Sequence, residues 1–464
     1  MGFSTDAPIY PPIFITSPNL MTKLPCHPSS QGTLGKAKVT QVPRIVVWFN
    51  RAGTSPRELR LYSRRCTSKD CHLLDTDVHR LLTEGPKLDH LSLGCRGPHC
   101  FRRLLKALDA YDASLNLESA ARPWNRLRSL EIEFDNTYWN PLYLTAHKQE
   151  TLFLQLPSSI TAFTLRLPAA AAPFQDPLIS SMIGLNIPPE LLERLSHFEI
   201  GCDWYGAHIL AMLEHCRNVE TLAICTYGEP MVYGEDDEPL LQRIEAGIYL
   251  PKLHTFQHRG GPDLHLLDHI IVPSIRELDV QVVDIDDFLK PEVGELFSSL
   301  YGFITREGSD APRTLRNLHL RDIILPVNEL SEILRILDSL TTLTLDNVNV
   351  NVASLFTVMQ RLSTSTSSRG RPNGPCLPHL EVLQLLDLPI PSPDFSPLFK
   401  FFTLRGPHPC RVTVSFLRPS GVPNAKDVRN DWIVLPDSDD EGDRGPSTLE
   451  EYGISVSVVP QSEG

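Results

Sequence analysis

Two cysteine and histidine clusters have the residue types and spacing that could do chemistry. Residues 66–72 have the pattern Cys-x4-Cys-His, and residues 95–100 have the pattern Cys-x3-His-Cys. Each follows a short apolar segment typical of a strand, so both turns are expected at the same end of neighbouring strands. Thiolates and imidazoles that converge in this way can bind zinc. The metal candidates are Cys66, Cys71, Cys95 and Cys100.

Buried, reduced cysteines are the alternative interpretation of these clusters. A spacing of four is looser than Cys-x-x-Cys, and thiols are common in protein interiors. The loose spacing and the frequency of buried thiols favour an interpretation without a metal site. No Gly-x-Ser-x-Gly, Gly-Lys-Ser/Thr loop, His-Glu-x-x-His or dinucleotide fingerprint is present in the sequence. Gly260-Gly261 precedes Pro262 and therefore marks a turn. We predict that the protein is not an enzyme and needs no cofactor.

Charge and composition narrow the classes of partner. The chain of 464 residues is 41% hydrophobic and 21% charged, with a net charge of −13. Much of that charge lies from Asp427 onward, and no part has the basic surplus of a nucleic-acid-binding protein. No stretch of about 18 apolar residues could span a membrane, and the N-terminus lacks a secretory signal pattern. These features predict a soluble cytoplasmic or nuclear protein whose cysteines are reduced.

A repeated pattern of apolar residues organises the chain. From Leu340 to Asn347 the sequence has the pattern Leu-x-x-Leu-x-Leu-x-Asn, and the preceding segment 329–337 is apolar at helical spacing. Helix, short strand and turn, repeated, is the unit of a leucine-rich-repeat solenoid. Equivalent strand pairs recur along the chain: Leu59/Leu61, Leu91/Leu93, Leu130/Ile132, Phe163/Leu165, Phe198/Ile200, Leu222/Ile224, Phe256/His258, Leu278/Val280, Leu318/Leu320, Leu343/Leu345, Leu383/Leu385 and Val412/Val414.

The predicted fold is an α/β leucine-rich-repeat solenoid with disordered termini. Each unit has one apolar strand face and one apolar helix face, so stacked units would form a curved parallel sheet with helices on its convex side. An ordinary doubly wound α/β domain is the alternative. We predict a proline-rich, mostly disordered lead-in at 1–45, an irregular solenoid at 46–418 and an acidic, mostly disordered tail at 419–464.

Several apolar clusters predict the helices that precede these strands. They begin at Val78, Ile209, Leu264, Val352 and Phe395. The segment Ile187–Leu195, with Pro-Pro-Glu-Leu-Leu at its start, is similar to the opening of an F-box helix. It leads directly into the Phe198/Ile200 strand, so we interpret it as a repeat helix with proline in its first turn.

The segment 46–62 resembles one found in the large F-box protein family of basidiomycete fungi. In that family a helix ending in Trp-Leu-x-Arg-Ser-Gly is followed by x-x-Pro-Leu-x-Leu-x-Leu, which enters the first repeat strand. Phe49 and Ala52 differ conservatively, whereas Arg57 replaces the first leucine. The matching residues are Trp48, Arg51, Gly53, Pro56, Leu59 and Leu61.

This resemblance, over about residues 46–416, implies substrate recognition for an SCF-type ubiquitin ligase. Family members bind a Skp-type adaptor through an N-terminal F-box. Residues 1–45 contain no three-helix pattern and no Leu-Pro-x-Glu-Leu, so the module is absent, missing from this sequence or strongly diverged. A stand-alone leucine-rich-repeat scaffold without a ligase link is the alternative.

Polar residues that alternate with the strand pairs would form the concave face of the solenoid. Their mixed charge suits a protein partner, although a merely solvated sheet face would have the same pattern. The residues predicted to contact a partner are Arg60, Tyr62, Glu131, Glu133, Arg166, Glu199, Gln257, Arg259, Asp279, His319, Arg321, Asp346 and Gln384.

The acidic tail carries one apolar triplet followed by an acidic run. Such a pattern resembles a SUMO-interacting motif, in which the triplet adds a strand to a sheet edge and the acids contact a basic rim. Ser438 also resembles a site for an acidophilic kinase. Pairing of the triplet with the last repeat strand is the alternative. The motif consists of Ile433, Val434, Leu435, Asp437, Ser438, Asp439, Asp440 and Glu441.

Overall fold

A computed structural model gives the fold of the protein as two compact units, Met1–His208 and Ile209–Gly464. In the described part of the chain, no helix is long and apolar enough to cross a bilayer. The described residues are 13–14, 47, 51, 57–62, 73, 76–95, 97–115, 122–134, 152–167, 187–202, 206–226, 242, 244–261, 264–282, 293–364, 376–388, 396–405, 410–416 and 454–458.

The first unit alternates strands and helices. Its strands are β1 (Ile13–Phe14), β2 (Glu58–Tyr62), β3 (His90–Cys95), β4 (Ser129–Phe134), β5 (Ala162–Arg166) and β6 (His197–Cys202). Its helices are α1 (Thr76–Glu84), α2 (Pro98–Leu115) and α3 (Pro189–Leu192), with a 3₁₀ turn at Trp124–Arg126. Helix α4 (Gly206–Leu213) spans the boundary between the units in sequence.

The second unit continues the same alternation. Its strands are β7 (Thr221–Thr226), β8 (Ile248–Tyr249), β9 (Thr255–Gly260), β10 (Ile270–Ile271), β11 (Glu277–Val282), β12 (Asn317–Arg321), β13 (Thr342–Asp346), β14 (Val382–Leu388), β15 (Cys410–Phe416) and β16 (Ile454–Val458). Its helices are α5 (Val293–Thr305), α6 (Ala311–Thr314), α7 (Val327–Ile336), α8 (Val352–Thr364) and α9 (Ser396–Arg405), with a 3₁₀ helix at His265–His269.

Long strands pair in parallel and in chain order within each unit. Strands β2 to β6 follow one another in the first unit, except that β1 adds antiparallel to β2. In the second unit the order is β7, β9, β11, β12, β13, β14, β15 and β16, all parallel, while β8 and β10 form a separate two-stranded sheet. The prediction of an α/β protein with a large parallel sheet is therefore confirmed.

The predicted strand pairs form the buried side of the sheet. Every member of the twelve pairs predicted from the sequence lies on a strand and is buried. The strand register aligns equivalent positions, so Leu318 lies beside Leu343, which lies beside Leu383. Burial of such an apolar side chain contributes about 1.5–3 kcal/mol. The repeated leucine pattern thus specifies the strands, and in the structure the buried pairs lie side by side in aligned columns.

Helices cover the apolar side chains with their own apolar stripes. In α7, Leu330, Ile333 and Leu334 recur at helical spacing and are buried. Helix α3 begins with proline at its first turn, as expected for a repeat helix, and buries Leu191 and Leu192.

Three local features differ from the sequence-based expectation. The cluster that begins at Leu264 forms a 3₁₀ helix and the short strand β10, because the segment is too short for a full α-helix. Both terminal segments also contribute a strand, β1 by antiparallel pairing and β16 by parallel pairing. Ile13–Phe14 and Ile454–Val458 thus form paired strands within the two segments that were predicted to be mostly disordered. The rest of both segments lies outside the described residues.

Candidate functional site

Residues that alternate with the buried pairs project from the opposite side of the sheet, which we call the outer face. Every residue predicted for the concave face lies at such an alternating strand position, so the structure places all of them on this face. For Tyr62 only the backbone is described.

In the first unit, charged and hydroxyl side chains of neighbouring strands surround Glu131, and we call this group the Glu131 cluster. Arg166 Nη1 lies 3.3 Å from Glu131 Oε1, and Arg166 Nη2 lies 3.0 Å from Glu199 Oε1. His90 Nε2 lies 3.8 Å from Glu131 Oε2, while His90 Nδ1 and the Ser129 hydroxyl are 2.6 Å apart. Residues of four neighbouring strands, β3 to β6, are thereby joined by their side chains.

The Glu131 carboxylate is held ionised although the residue is only 8% exposed. The His90 side chain is the largest cause, and the Ser92 hydroxyl and the Arg166 charge add to it, so the pKa of Glu131 falls to about 2. Burial acts in the opposite direction and raises this pKa. For Arg166, burial lowers the pKa, but Glu199 and Glu131 outweigh it and raise the pKa overall. The cluster is therefore an ordered set of fixed charges.

Glu131→Gln is expected to lower the free energy of unfolding by about 1–2 kcal/mol near neutral pH, because a buried ion pair loses its anion. The folded-state pKa of about 2 lies below the ordinary 4.5. The stabilisation from Glu131 is thus complete above the ordinary value and is lost as pH falls towards the folded value. Urea unfolding as a function of pH should show a smaller loss of stability in acid for the variant.

Glu199→Gln is the matched control for this prediction. Glu199 contacts the same Arg166, but its side chain is 25% exposed, compared with 10% for Glu131. A more exposed ion pair contributes less. If Glu199→Gln destabilises the protein as much as Glu131→Gln, burial of Glu131 does not set the strength of the interaction.

In the second unit, a line of alternating acidic and basic side chains crosses neighbouring strands, and we call it the His319 chain. His319 Nδ1 lies 3.2 Å from Asp279 Oδ1, and His319 Nε2 lies 3.8 Å from Asp346 Oδ2. Arg321 Nε donates to Asp346 Oδ2 at 2.7 Å, and Arg259 Nη2 lies 3.9 Å from Asp279 Oδ2.

Asp279 is also held ionised in this line. Burial raises the pKa of Asp279, but the hydrogen bond and charge of His319, with the charges of Arg259 and Arg321, lower it overall. Both Asp279 and Asp346 of the His319 chain therefore have basic side chains beside them. This part of the outer face presents acidic and basic groups at fixed spacings.

A third group, the strand-end column, follows the last residues of neighbouring strands. Gln281 Nε2 donates to Asp322 Oδ2 at 3.0 Å, and Asn347 Nδ2 donates to Asp322 Oδ1 at 2.8 Å. Asp322 and Asn347 have positive φ angles of 56° and 50°, a conformation that Asn and Asp tolerate better than other side chains. Gln281 and Asp322 were not among the residues predicted for this face. Asp322 lies two positions after the predicted strand residue Leu320, just as Asn347 lies two positions after Leu345, so its position could have been found from the pattern.

Of the four cysteines predicted as metal ligands, the structure describes Cys95 and Cys100. Cys95 and Cys100 are buried, with Cys95 Sγ 3.6 Å from the Gly97 carbonyl oxygen and Cys100 Sγ 3.6 Å from His99 Nδ1. Cys66 and Cys71 lie outside the described residues. Within the part of the chain that is described, no group of three or more His, Cys, Asp or Glu residues is arranged to hold a metal ion.

The tail motif at 433–441 also lies outside the described residues. No protein-family model matches the chain, and no curated protein matches it in sequence. The outer face, with its ordered charges and amides, is thus the candidate site: its groups can orient a polar partner through hydrogen bonds and ion pairs.

Proposed function

We propose that the chain is a leucine-rich-repeat solenoid that recognises a protein partner on its outer face. Support comes from the chain-order pairing of the strands within each unit, because a doubly wound domain reverses its strand order. The aligned buried pairs provide one core per repeat, as a solenoid requires. This architecture supports a broad surface rather than a deep pocket.

The observation that carries the proposal is the pairing of outer-face charges across strands. In the Glu131 cluster and the His319 chain the ionic groups are already oriented, so a partner does not have to order them. Alternating signs favour a partner with a complementary charge pattern and disfavour strongly basic or acidic polymers. A folded protein surface fits this requirement better than nucleic acid.

We propose that the bound protein is a substrate of an SCF-type ubiquitin ligase, and that the chain recognises this substrate in the cytoplasm or nucleus. The resemblance of residues 46–62 to the fungal F-box family supports this proposal. Its test is capture of the tagged chain from source cells: adaptor and cullin subunits among the captured proteins would favour the ligase, and their absence would favour a stand-alone scaffold. The purified chain alone should bind a Skp-type adaptor weakly or not at all, because residues 1–45 carry no F-box pattern.

Substitution on the outer face should remove the bound protein. Gln384, on β14, accepts a hydrogen bond from the Thr344 hydroxyl at 2.8 Å. Gln384→Arg adds charge and bulk there, and we expect about 10-fold less captured partner, since an unmatched charge in an interface is costly. Glu332→Arg, on the exposed side of α7, is the control. Equal capture by both variants would contradict binding at the outer face.

The alternative function is a scaffold whose tail binds SUMO without any ligase link. It is supported by the apolar triplet Ile433–Leu435 before an acidic run. A peptide of residues 428–444 should then shift the resonances of labelled SUMO, and replacing the triplet by Ala should abolish the shift. Replacing the acidic residues by Asn should weaken binding mainly at low salt, where charges are least screened. No shift at about 1 mM peptide would exclude this function, because even weak strand addition is visible there.

A further inference from the structure

The last strand of the second unit, β16, lies at an edge of the sheet and is reached by a different kind of connection from the strands before it. Strand β16 pairs with β15 in parallel, and in the described part of the chain no other strand pairs with β16. The connections into β13, β14 and β15 contain the helices α7, α8 and α9. The connection into β16, residues 417–453, is long and mainly acidic where it is charged.

The register gives each residue of β16 a defined column of the sheet. Ile454, Val456 and Val458 pair with Cys410, Val412 and Val414. These three β15 residues are at most 4% exposed and belong to the buried columns. The two serines of the segment, at 455 and 457, pair with Arg411 and Thr413 in the outer-face columns.

The alternation of apolar residues and serine in β16 is the pattern by which an added strand is recognised at a sheet edge. Main-chain hydrogen bonds supply affinity, and side chains at alternate positions supply selectivity. β-Branched residues suit the strand conformation. Without β16, one side of β15 would present unpaired N–H and C=O groups, which favour pairing with another chain.

We propose that the edge of β15 that β16 covers is a strand-acceptor site, separate from the outer face, for an extended segment with β-branched residues at alternate positions. In the intact chain, residues 454–458 occupy this site. A partner segment of the same pattern would add to β15 in parallel after displacing them. Because the in-chain strand is tethered, its effective concentration is about millimolar, and it competes strongly with such a partner.

The acidic connection makes displacement feasible. Glu450 and Glu451 lie within four residues of Ile454, where the strand begins, and further acidic residues lie at 437–443. Like charges resist compaction of this segment once the strand is released. An edge strand bonded on one side also opens at lower free energy than a central strand.

The test compares Val456→Asp with Ser455→Asp in the full chain. Both add one carboxylate, but position 456 lies in a buried column and position 455 in an outer-face column. Hydrogen exchange of β15 amides should become about 10-fold faster in Val456→Asp and stay as in the wild type in Ser455→Asp. Exchange in β13 reports whether the rest of the unit stays folded.

A fluorescent peptide of residues 450–460 then tests acceptance in trans. It should bind Val456→Asp at least about 10-fold more tightly than the wild type, whose edge is occupied, and should restore slow exchange in β15. Equal exposure of β15 in both variants would overturn the proposal. So would the absence of any effect of about 1 mM peptide on β15 exchange in Val456→Asp.

The wild-type chain provides an independent arm if Val456→Asp also loses protection in β13. Excess peptide should speed exchange of amides 454–458 while β15 stays protected, because one strand replaces another. If amides 454–458 keep their protection at about 10 mM peptide, several times the effective concentration of the tethered strand, the site does not exchange its strand and the proposal is wrong.

Discussion

Leu343→Ala is expected to lower the free energy of unfolding by about 2–5 kcal/mol, the usual range for emptying a well-packed leucine site. Leu343 is fully buried and pairs with Leu318 on one side and Leu383 on the other. Removing its side chain leaves a cavity between two strands that are themselves buried, so little relaxation is available. Urea unfolding followed by circular dichroism measures the change.

Thr342→Ala is the control for this prediction. Thr342 precedes Leu343 on the same strand but belongs to the outer-face columns and is partly exposed. We expect a change within about 1 kcal/mol, as for most surface substitutions. A loss below about 1 kcal/mol for Leu343→Ala would show that the repeated leucine pair is not the core of the sheet.

His258→Leu is expected to stabilise the protein, and more so in acid. His258 occupies a buried column between Ile224 and Val280, where the repeat pattern has an aliphatic residue. It is fully buried, and neither ring nitrogen has a hydrogen-bond partner. Burying an unpaired polar group costs about 1–3 kcal/mol, which the leucine would recover near neutral pH.

Burial also gives His258 a pH dependence. It lowers the pKa of His258 from 6.5 to about 4 in the folded protein. Between these values the unfolded chain binds a proton that the folded chain does not, so acid favours unfolding. The difference in stability between His258→Leu and the wild type should grow by about 3 kcal/mol from pH 7 to pH 4, at 1.36 kcal/mol per pKa unit.

Unfolding free energies measured at several pH values for both proteins decide this prediction. His379→Leu removes a histidine from an exposed position and is the control for the loss of one imidazole. A constant difference between His258→Leu and the wild type across the pH range would mean that His258 takes up a proton in the folded state.

The strands could be predicted from the sequence because their signal is local. Two apolar residues separated by one polar residue suffice to mark a strand with one buried side, as in Leu318/Leu320. The same alternation places His319 on the outer face. Its ion pairs with Asp279 and Asp346 could not be predicted, because they depend on the register between segments separated by long connections of unequal length.

The burial of some outer-face residues also could not be predicted from the sequence. Ser92 is fully buried and Glu131 nearly so, although alternation places both on the polar side. Glu131 lies beside Arg166 and His90 of the two neighbouring strands, and these contacts depend on the pairing of the strands. The sequence did contain a signal for β16, the alternation of apolar residues and serine at 454–458. An alternation of only five residues within an acidic tail is weak evidence for a strand.

The strand-end column determines where this protein can change length. Asp322 and Asn347 of this column have positive φ angles, and each turns the chain directly after β12 or β13. Once the chain has turned, the connection no longer takes part in strand pairing, and long loops cost little extra entropy. Extra residues grafted after Asn349 should therefore leave the β12–β13 register intact. New recognition loops could be added there while the sheet remains a constant framework.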